Sequence, residues 1–198
     1  MVFTESFMKF IFPDDDVFLI ENDKLHLESK DKKACECVVK ISPNVCLIEA
    51  KSSFSNLQNN EQGFKDNIDE IKQKFADSID LFTGIRNKVY GEEAYNRLPV
   101  NLRAEDLKPS DYVVCLIING HRLDWLNPIM EWLKRDLKDV LKLWGMKDSN
   151  VKVYNEQIAK EHNFIVAFVP KEHFNELREP NGNPDKEKVM KWFKEHGE

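Results

Sequence analysis

Glycine is scarce in this chain, with seven in 198 residues, and no glycine-rich loop follows any strand-like run. Phosphate-cradling P-loops and dinucleotide-binding turns need such loops, so both are disfavoured. Cysteine is also sparse: Cys35, Cys37, Cys46 and Cys115 all sit inside apolar segments. A chain of this size can build a core without disulfide staples, and these four are expected to be reduced core thiols. No stretch reaches the roughly 18 consecutive apolar residues of a spanning helix, and Met1 to Lys9 lacks the basic start and apolar run of a secretion signal. A cytoplasmic protein with no membrane partner is the expectation. Positive charge is not in excess, with 29 Lys+Arg against 35 Asp+Glu and a net of −6, which excludes a protein that coats nucleic acid through bulk charge. His26, His121, His162, His173 and His196 show no H-E-x-x-H or similar ligand spacing.

What is present is a globular composition, 41% hydrophobic and 32% charged. It suits one domain over 1–198, with a core over about 1–155 and a C-terminal strand and helix extension over 156–198. Phe7, Met8, Ile11 and Phe12 recur at helical spacing before Pro13, which predicts a short first helix from Thr4 to Phe12. Val17–Glu21 and Lys24–Glu28 read as two short strand-like runs. Ala34–Ile41 and Val45–Lys51 are the clearest strands. Phe64, Ile68, Ile71, Phe75, Ile79 and Phe82 then mark one face of a long helix ended by Thr83-Gly84, with a second helical stretch through Tyr95. Lys72 and Lys74 on the long helix read as its solvated side.

Tyr112–Ile118 is a continuous apolar run, as expected of a strand buried on both faces. A helix from about Asn127 buries Ile129, Leu133, Leu137, Val140, Leu141 and Trp144 before Gly145, and leads to a parallel strand at Val151–Tyr154. Phe164–Val169 reads as a further buried strand, and Val189, Met190 and Phe193 as the stripe of a last helix. The order implies an α/β fold with a central mixed sheet flanked by helices on both faces.

The segment from Ala34 to Ser53 carries the chemistry. A tight turn at Pro43-Asn44 sets Ile41 opposite Cys46 and Glu36 across from Lys51. One face then collects Cys35, Cys37, Val39, Ile41, Cys46, Ile48 and Ala50, and the other Glu36, Val38, Lys40, Val45, Leu47, Glu49 and Lys51. Glu36, Glu49 and Lys51 therefore cluster at the open end of one face. Charges on otherwise apolar strands are costly to desolvate unless paired or bound to a metal. Two carboxylates with an adjacent ammonium suit Mg²⁺ or Mn²⁺ and hydrolysis of a phosphodiester. An ordinary cross-strand salt bridge on a half-exposed sheet is the alternative for the same three residues.

This constellation resembles the PD-(D/E)xK nuclease superfamily, the restriction-endonuclease-like fold, whose members place an acid on one strand and an acid-x-Lys triplet on the next. Glu36 looks like the first acid and Glu49-Ala50-Lys51 like the triplet, over roughly the first 120 residues. The first acid here is Glu, and it follows Cys35 where the family pattern has Pro. Acid-x-Lys also occurs at Glu28, Asp31, Glu70, Asp106 and Asp136, but the Glu49 copy alone has both an apolar strand before it and an opposed acid. The resemblance implies a three-layer restriction-endonuclease-like fold and a divalent-metal-dependent nuclease. In it Glu36, Glu49 and the Ala50 carbonyl would hold Mg²⁺ or Mn²⁺, Lys51 would orient the water, and Glu5 would match an accessory helix-borne acid. It further implies DNA as the favoured nucleic-acid partner and a homodimer that cuts both strands. The alternative is a catalytically inactive nuclease-fold binding or scaffold protein of a defence or mobile-element system. By segment, Met1–Lys30 holds three Lys against seven acids and Asp31–Ser55 four Lys against three, which sets most of the acidity outside the site segment.

Overall fold

A computed structural model describes residues 1–28, 31–104 and 107–197. The lysine of the Glu28 triplet and the acid of the Asp106 triplet lie outside the described residues. The strands are β1 (Val2–Glu5), β2 (Met8–Ile11), β3 (Val17–Phe18), β4 (Cys37–Ile41), β5 (Asn44–Lys51), β6 (Tyr112–Ile118), β7 (Val151–Asn155) and β8 (Ala167–Phe168). The α-helices are α1 (Lys24–Glu28), α2 (Glu61–Arg86), α3 (Gly91–Arg97), α4 (Leu126–Asp136), α5 (Lys138–Leu143), α6 (Glu156–Glu161) and α7 (Lys186–Glu195). β3 to β7 form one five-stranded mixed sheet in sequence order. Its first three strands are an antiparallel meander, and β5, β6 and β7 run parallel. Parallel neighbours need a crossover, and here α2 joins β5 to β6 while α4 and α5 join β6 to β7.

The helical crossovers pack on one face of the sheet. There Phe64, Ile68, Ile71, Phe75, Ile79 and Phe82 of α2 are all at most 1% exposed and meet Val38, Val45, Leu47, Leu116 and Ile118. Asn60 caps α2, accepting from the Gly63 N–H at 3.0 Å. The helix continues through Gly84 to Arg86, beyond the expected stop, and Lys88 carries the positive φ that ends it. Gly84 serves packing instead: a Cβ there would lie 2.6 Å from the Tyr90 ring. Tyr112–Ile118 is the doubly buried strand its composition predicts, and Gly120 turns the chain after it with a φ of +75°.

The opposite face is covered differently from expectation. Met8, Phe10 and Phe12 of the N-terminal segment, Ala159 of α6, and Phe164 and Ile165 pack on Cys37, Val39, Cys46, Ile48, Ala50 and Cys115. The layer is a small antiparallel sheet, β1-β2-β8, supported by α6. The predicted helix Thr4–Phe12 is thus a β-hairpin. Its turn, Ser6-Phe7, has both residues at positive φ, the backbone of a type I′ turn built without glycine or asparagine. Lys24–Glu28 is the short helix α1, not a strand, and of Phe164–Val169 only Ala167–Phe168 is a strand, paired with β2 outside the main sheet.

The β4–β5 register also shifts. Ile41 pairs with Asn44 and Cys37 with Ile48, so the loop is Ser42-Pro43 and every pairing slides by two residues. An even slide preserves both faces. Cys35 departs from its assigned face: it precedes β4, its N–H donates to Ser78 Oγ at 2.8 Å, and it joins the helix-side core. All four cysteines are free and buried.

Asp77, 4% exposed on α2, fastens the segment before β4 to the helix. Its carboxylate accepts from Lys32 Nζ at 2.9 Å, the Lys33 N–H at 3.0 Å and Gln73 Nε2 at 2.7 Å. Burial opposes its charge, but these donors outweigh burial and hold its pKa below the usual aspartate value. A depressed folded pKa stabilises above the unfolded pKa of about 3.9 and is lost as pH falls through the folded value. Asp77→Asn is expected to cost about 2 kcal/mol at pH 7, and denaturant unfolding should find the deficit shrinking below about pH 4.

Candidate functional site

β5 is the strand where the meander meets the parallel sheet, with β4 on one side and β6 on the other. Glu49 therefore points from a central strand toward α2 and is fully buried, at 0% exposure. In the β4–β5 register Glu36 falls opposite Glu49, and the Glu36 N–H donates to the Ile48 carbonyl at 3.0 Å, which continues the pairing beyond Cys37. Lys51 closes β5. Its Nζ lies 3.2 Å from Glu49 Oε1 and 2.7 Å from Glu70 Oε1 of α2.

Lys74 enters the site from α2, in contrast to its expected place on the solvated side. Its Nζ lies 2.8 Å from Glu49 Oε1 and donates to Oε2 at 3.1 Å. It is also 3.8 Å from Glu21 Oε1 and 4.0 Å from Glu36 Oε1. Only 13% of its side chain is exposed. Glu70 and Lys74 each stand one position before a buried residue, Ile71 and Phe75, and that border position on a helix covering an acid-bearing strand is the signal available in the sequence. A salt bridge on a half-exposed sheet does not describe this site, because α2 covers the face that carries Glu49.

Ala50 is buried on the opposite face, and its carbonyl accepts from Ser6 Oγ at 3.0 Å. Glu5 lies on β1 rather than on a helix. It pairs with Lys186 of α7 at 3.0 Å, and its Oε1 accepts from the Ser6 N–H at 3.2 Å. A cleft of about 270 Å³ brings Glu5, Glu21, Glu36 and Lys186 together. The N-terminal acidity that the segment count sets apart from the site is thus in part beside it in space, through Glu5 and Glu21.

These neighbours explain the electrostatics. Burial first, then the charges of Glu49, Glu5 and Glu21, push Glu36 up to about 10. Burial also raises Glu49, opposed by Lys74 and Lys51. Lys51 is disfavoured by burial, but Glu49 and Glu70 overcome this and raise its pKa, so it stays an ammonium at neutral pH. Lys74 is likewise raised, with Glu49 and Glu36 outweighing burial.

The donor chemistry suits a hard cation, since Glu36, Glu49 and the Ala50 carbonyl offer only oxygen. Glu49 Oε1 is buried and has no aligned hydrogen bond, although two ammoniums stand near it. Among the described residues no three of His, Cys, Asp and Glu form a group that could hold a metal, so any ion here would have two carboxylates and draw its remaining ligands from carbonyl, water or substrate. Among the described residues no helix is long and apolar enough to cross a membrane. No family model, curated protein or solved structure matches the chain.

Removing one partner of a buried ion pair strands the other charge. Lys74→Met is expected to lower the unfolding free energy by about 3 kcal/mol. Glu49→Gln with Lys74→Met should cost at least about 1 kcal/mol less than the sum of the single changes. Denaturant titration of the four proteins measures that coupling, and strict additivity would show that the pair does not couple.

Proposed function

We propose that the chain is a divalent-metal-dependent nuclease of the PD-(D/E)xK type, with a restriction-endonuclease-like core, that hydrolyses phosphodiester bonds of DNA. The observation that carries this reading is the meeting of Glu36, Glu49 and Lys51 at the end of β4 and β5, with Glu49 fully buried and Lys51 at 3.2 Å from it. Part of the element order supports it: a three-stranded meander, a crossover helix and a parallel strand follow one another as in the superfamily's core, whereas the helix that opens that core is replaced here by the β1–β2 hairpin.

Glu36 and Glu49 would hold Mg²⁺ or Mn²⁺, with the Ala50 carbonyl as a further donor. When bound, the cation supplies Lewis acidity and an acidified water. Lys51 keeps a quarter of its side chain exposed, so it reaches both the site and solvent. As an ammonium it cannot take a proton from water. It can orient that water and offset the charge that grows on the phosphodiester oxygens. Glu70, at 2.7 Å, fixes the direction of Lys51. Glu5 would shape the field at Glu36 through its charge. A homodimer remains part of this reading as the means of cutting both strands.

One observation favours a second reading. Lys74 already stands 2.8 Å from Glu49 and 4.0 Å from Glu36, so the acids have a resident cation. In that reading the protein is a catalytically inactive nuclease-fold binding or scaffold protein of a defence or mobile-element system.

The test combines cleavage with melting. Lys51→Ala should abolish Mg²⁺-dependent cleavage of DNA while the protein still folds, because Lys74 continues to neutralise Glu49. Mn²⁺ at a hundredfold excess over its Kd should stabilise the native protein by about 2.7 kcal/mol, or several degrees in Tm, and Glu36→Gln or Glu49→Gln should remove the shift. No Mn²⁺ shift and no cleavage would decide for the inactive module.

A further inference from the structure

A second cleft, of about 200 Å³, opens between the loop after β5 and the loop after β6. Its walls include Phe64, His121, Trp125 and Ile129, and its polar positions include Asn56 and Asp124. It is smaller than the ~300–1,000 Å³ sites that enclose drug-sized ligands, a size for a single ring system. His121 is only 7% exposed and lies edge-on to Trp125 and Phe54, at 5.3 and 6.2 Å between ring centres. Its Nε2 is buried and has no hydrogen-bond partner. Burial, then the nearby Lys171, push its pKa down to about 4, so the imidazole is neutral at physiological pH. A buried, unpaired polar nitrogen costs stability unless something else satisfies it.

The cleft is tied to the Glu49 site through α2. Glu70 holds Lys51, Asn67 accepts from the Ser55 N–H at 2.8 Å, and Phe64 forms part of the cleft. From Glu70 to Phe64 is about 9 Å along the helix axis at 1.5 Å per residue. Cations stand at the rim. The Arg122 guanidinium lies 5.1 Å from the Trp125 ring centre and is paired with Asp124 at 3.0 and 2.8 Å, and Lys171 Nζ donates to the Gly120 carbonyl at 3.2 Å. Aromatic walls, a neutral nitrogen and the charge of Lys171 are features that take a heteroaromatic ring carried on a phosphate chain.

We infer that this cleft binds one unpaired nucleobase of the strand engaged at the Glu49 site, with Trp125 against its ring and His121 Nε2 hydrogen-bonded to its edge. A base inside a duplex is stacked and has its pairing edge occupied, so the substrate class is nucleic acid with a single-stranded segment beside the cut. Reaching Nε2 requires a side-chain shift within the cleft. The inference rests on the nucleic-acid reading above, but not on catalysis.

Binding in EDTA, where no cleavage occurs, separates the two. A single-stranded DNA 12-mer of mixed sequence should bind native protein about tenfold more tightly than a fully abasic 12-mer, as expected for one stacked and hydrogen-bonded base. His121→Phe, which keeps a ring and removes the nitrogens, and Trp125→Ala should each remove most of that preference while the abasic affinity stays unchanged. Native protein that binds both strands equally, or variants that fold and keep the full preference, would overturn the inference. Base preference without metal-dependent cleavage would sink the nuclease reading alone, and cleavage without base preference would sink the cleft alone.

Discussion

The carboxylate of Glu49 is fully buried in the middle of the main sheet, and the arrangement around it follows from the cost of keeping a charge there. An isolated carboxylate in that position would take up a proton or destabilise the fold. Lys51 reaches it from its own strand and Lys74 from the helix above. Because Lys74 must meet Glu49 while Ile71 and Phe75 meet the sheet, the helix can neither rotate nor slide by a residue without losing one or the other. That docking also sets where the rest of α2 falls: Glu70 on Lys51, Asn67 on the Ser55 N–H, and Phe64 in the second cleft.

The small sheet makes the second contribution. Ser6 and Phe7 adopt the left-handed backbone, which costs about 1–2 kcal/mol per non-glycine residue. Several contacts offset this. Phe7 is fully buried and stacks on Phe174 with 4.2 Å between ring centres. Asn119, 2% exposed, donates to the Phe7 and Val169 carbonyls at 3.1 and 3.3 Å, while its own N–H donates to the Lys51 carbonyl at 2.8 Å. One asparagine thus joins the N-terminal turn, the β8 segment and the last residue of β5. The turn in return brings Ser6 Oγ to the Ala50 carbonyl and Glu5 to the acidic cleft.

Legibility in the sequence followed the strength of local patterns. The α2 stripe and the buried run Tyr112–Ile118 are long, periodic or continuous signals, and the elements formed where they predict. The segregation of faces on β4 and β5 survived a two-residue error in register because parity, not pairing, decides the face. The N-terminal hairpin was illegible for a definite reason: its turn uses Ser6-Phe7 where a type I′ turn favours Asn-Gly, and Phe7, Met8, Ile11 and Phe12 mimic a helical stripe. Alternation of Met8, Phe10 and Phe12 was the competing signal. Lys74 and Glu21 could not be placed by motif, since Lys74 reaches Glu49 and Glu36, and Glu21 reaches Lys74 and Glu36, through tertiary packing. A charge count by segment failed for the same reason, because folding returns Glu5 and Glu21 to the neighbourhood of Glu36.

Counting charges in space gives a different result from counting them along the chain. Among the described residues the bridged network holds four carboxylates, Glu21, Glu36, Glu49 and Glu70, and two ammoniums, Lys51 and Lys74, with the neutral Glu5–Lys186 pair beside it in the cleft. Fully ionised, it is two positive charges short. Such a deficit can be met by protons, and the raised Glu36 is where the first would go, after burial and the charges of its acidic neighbours. One divalent cation would meet it completely. Lys51 and Lys74 offset the charge of Glu49 inside the core without neutralising the carboxylates around it, so the scaffold is held by ion pairs while the field at Glu36 stays negative.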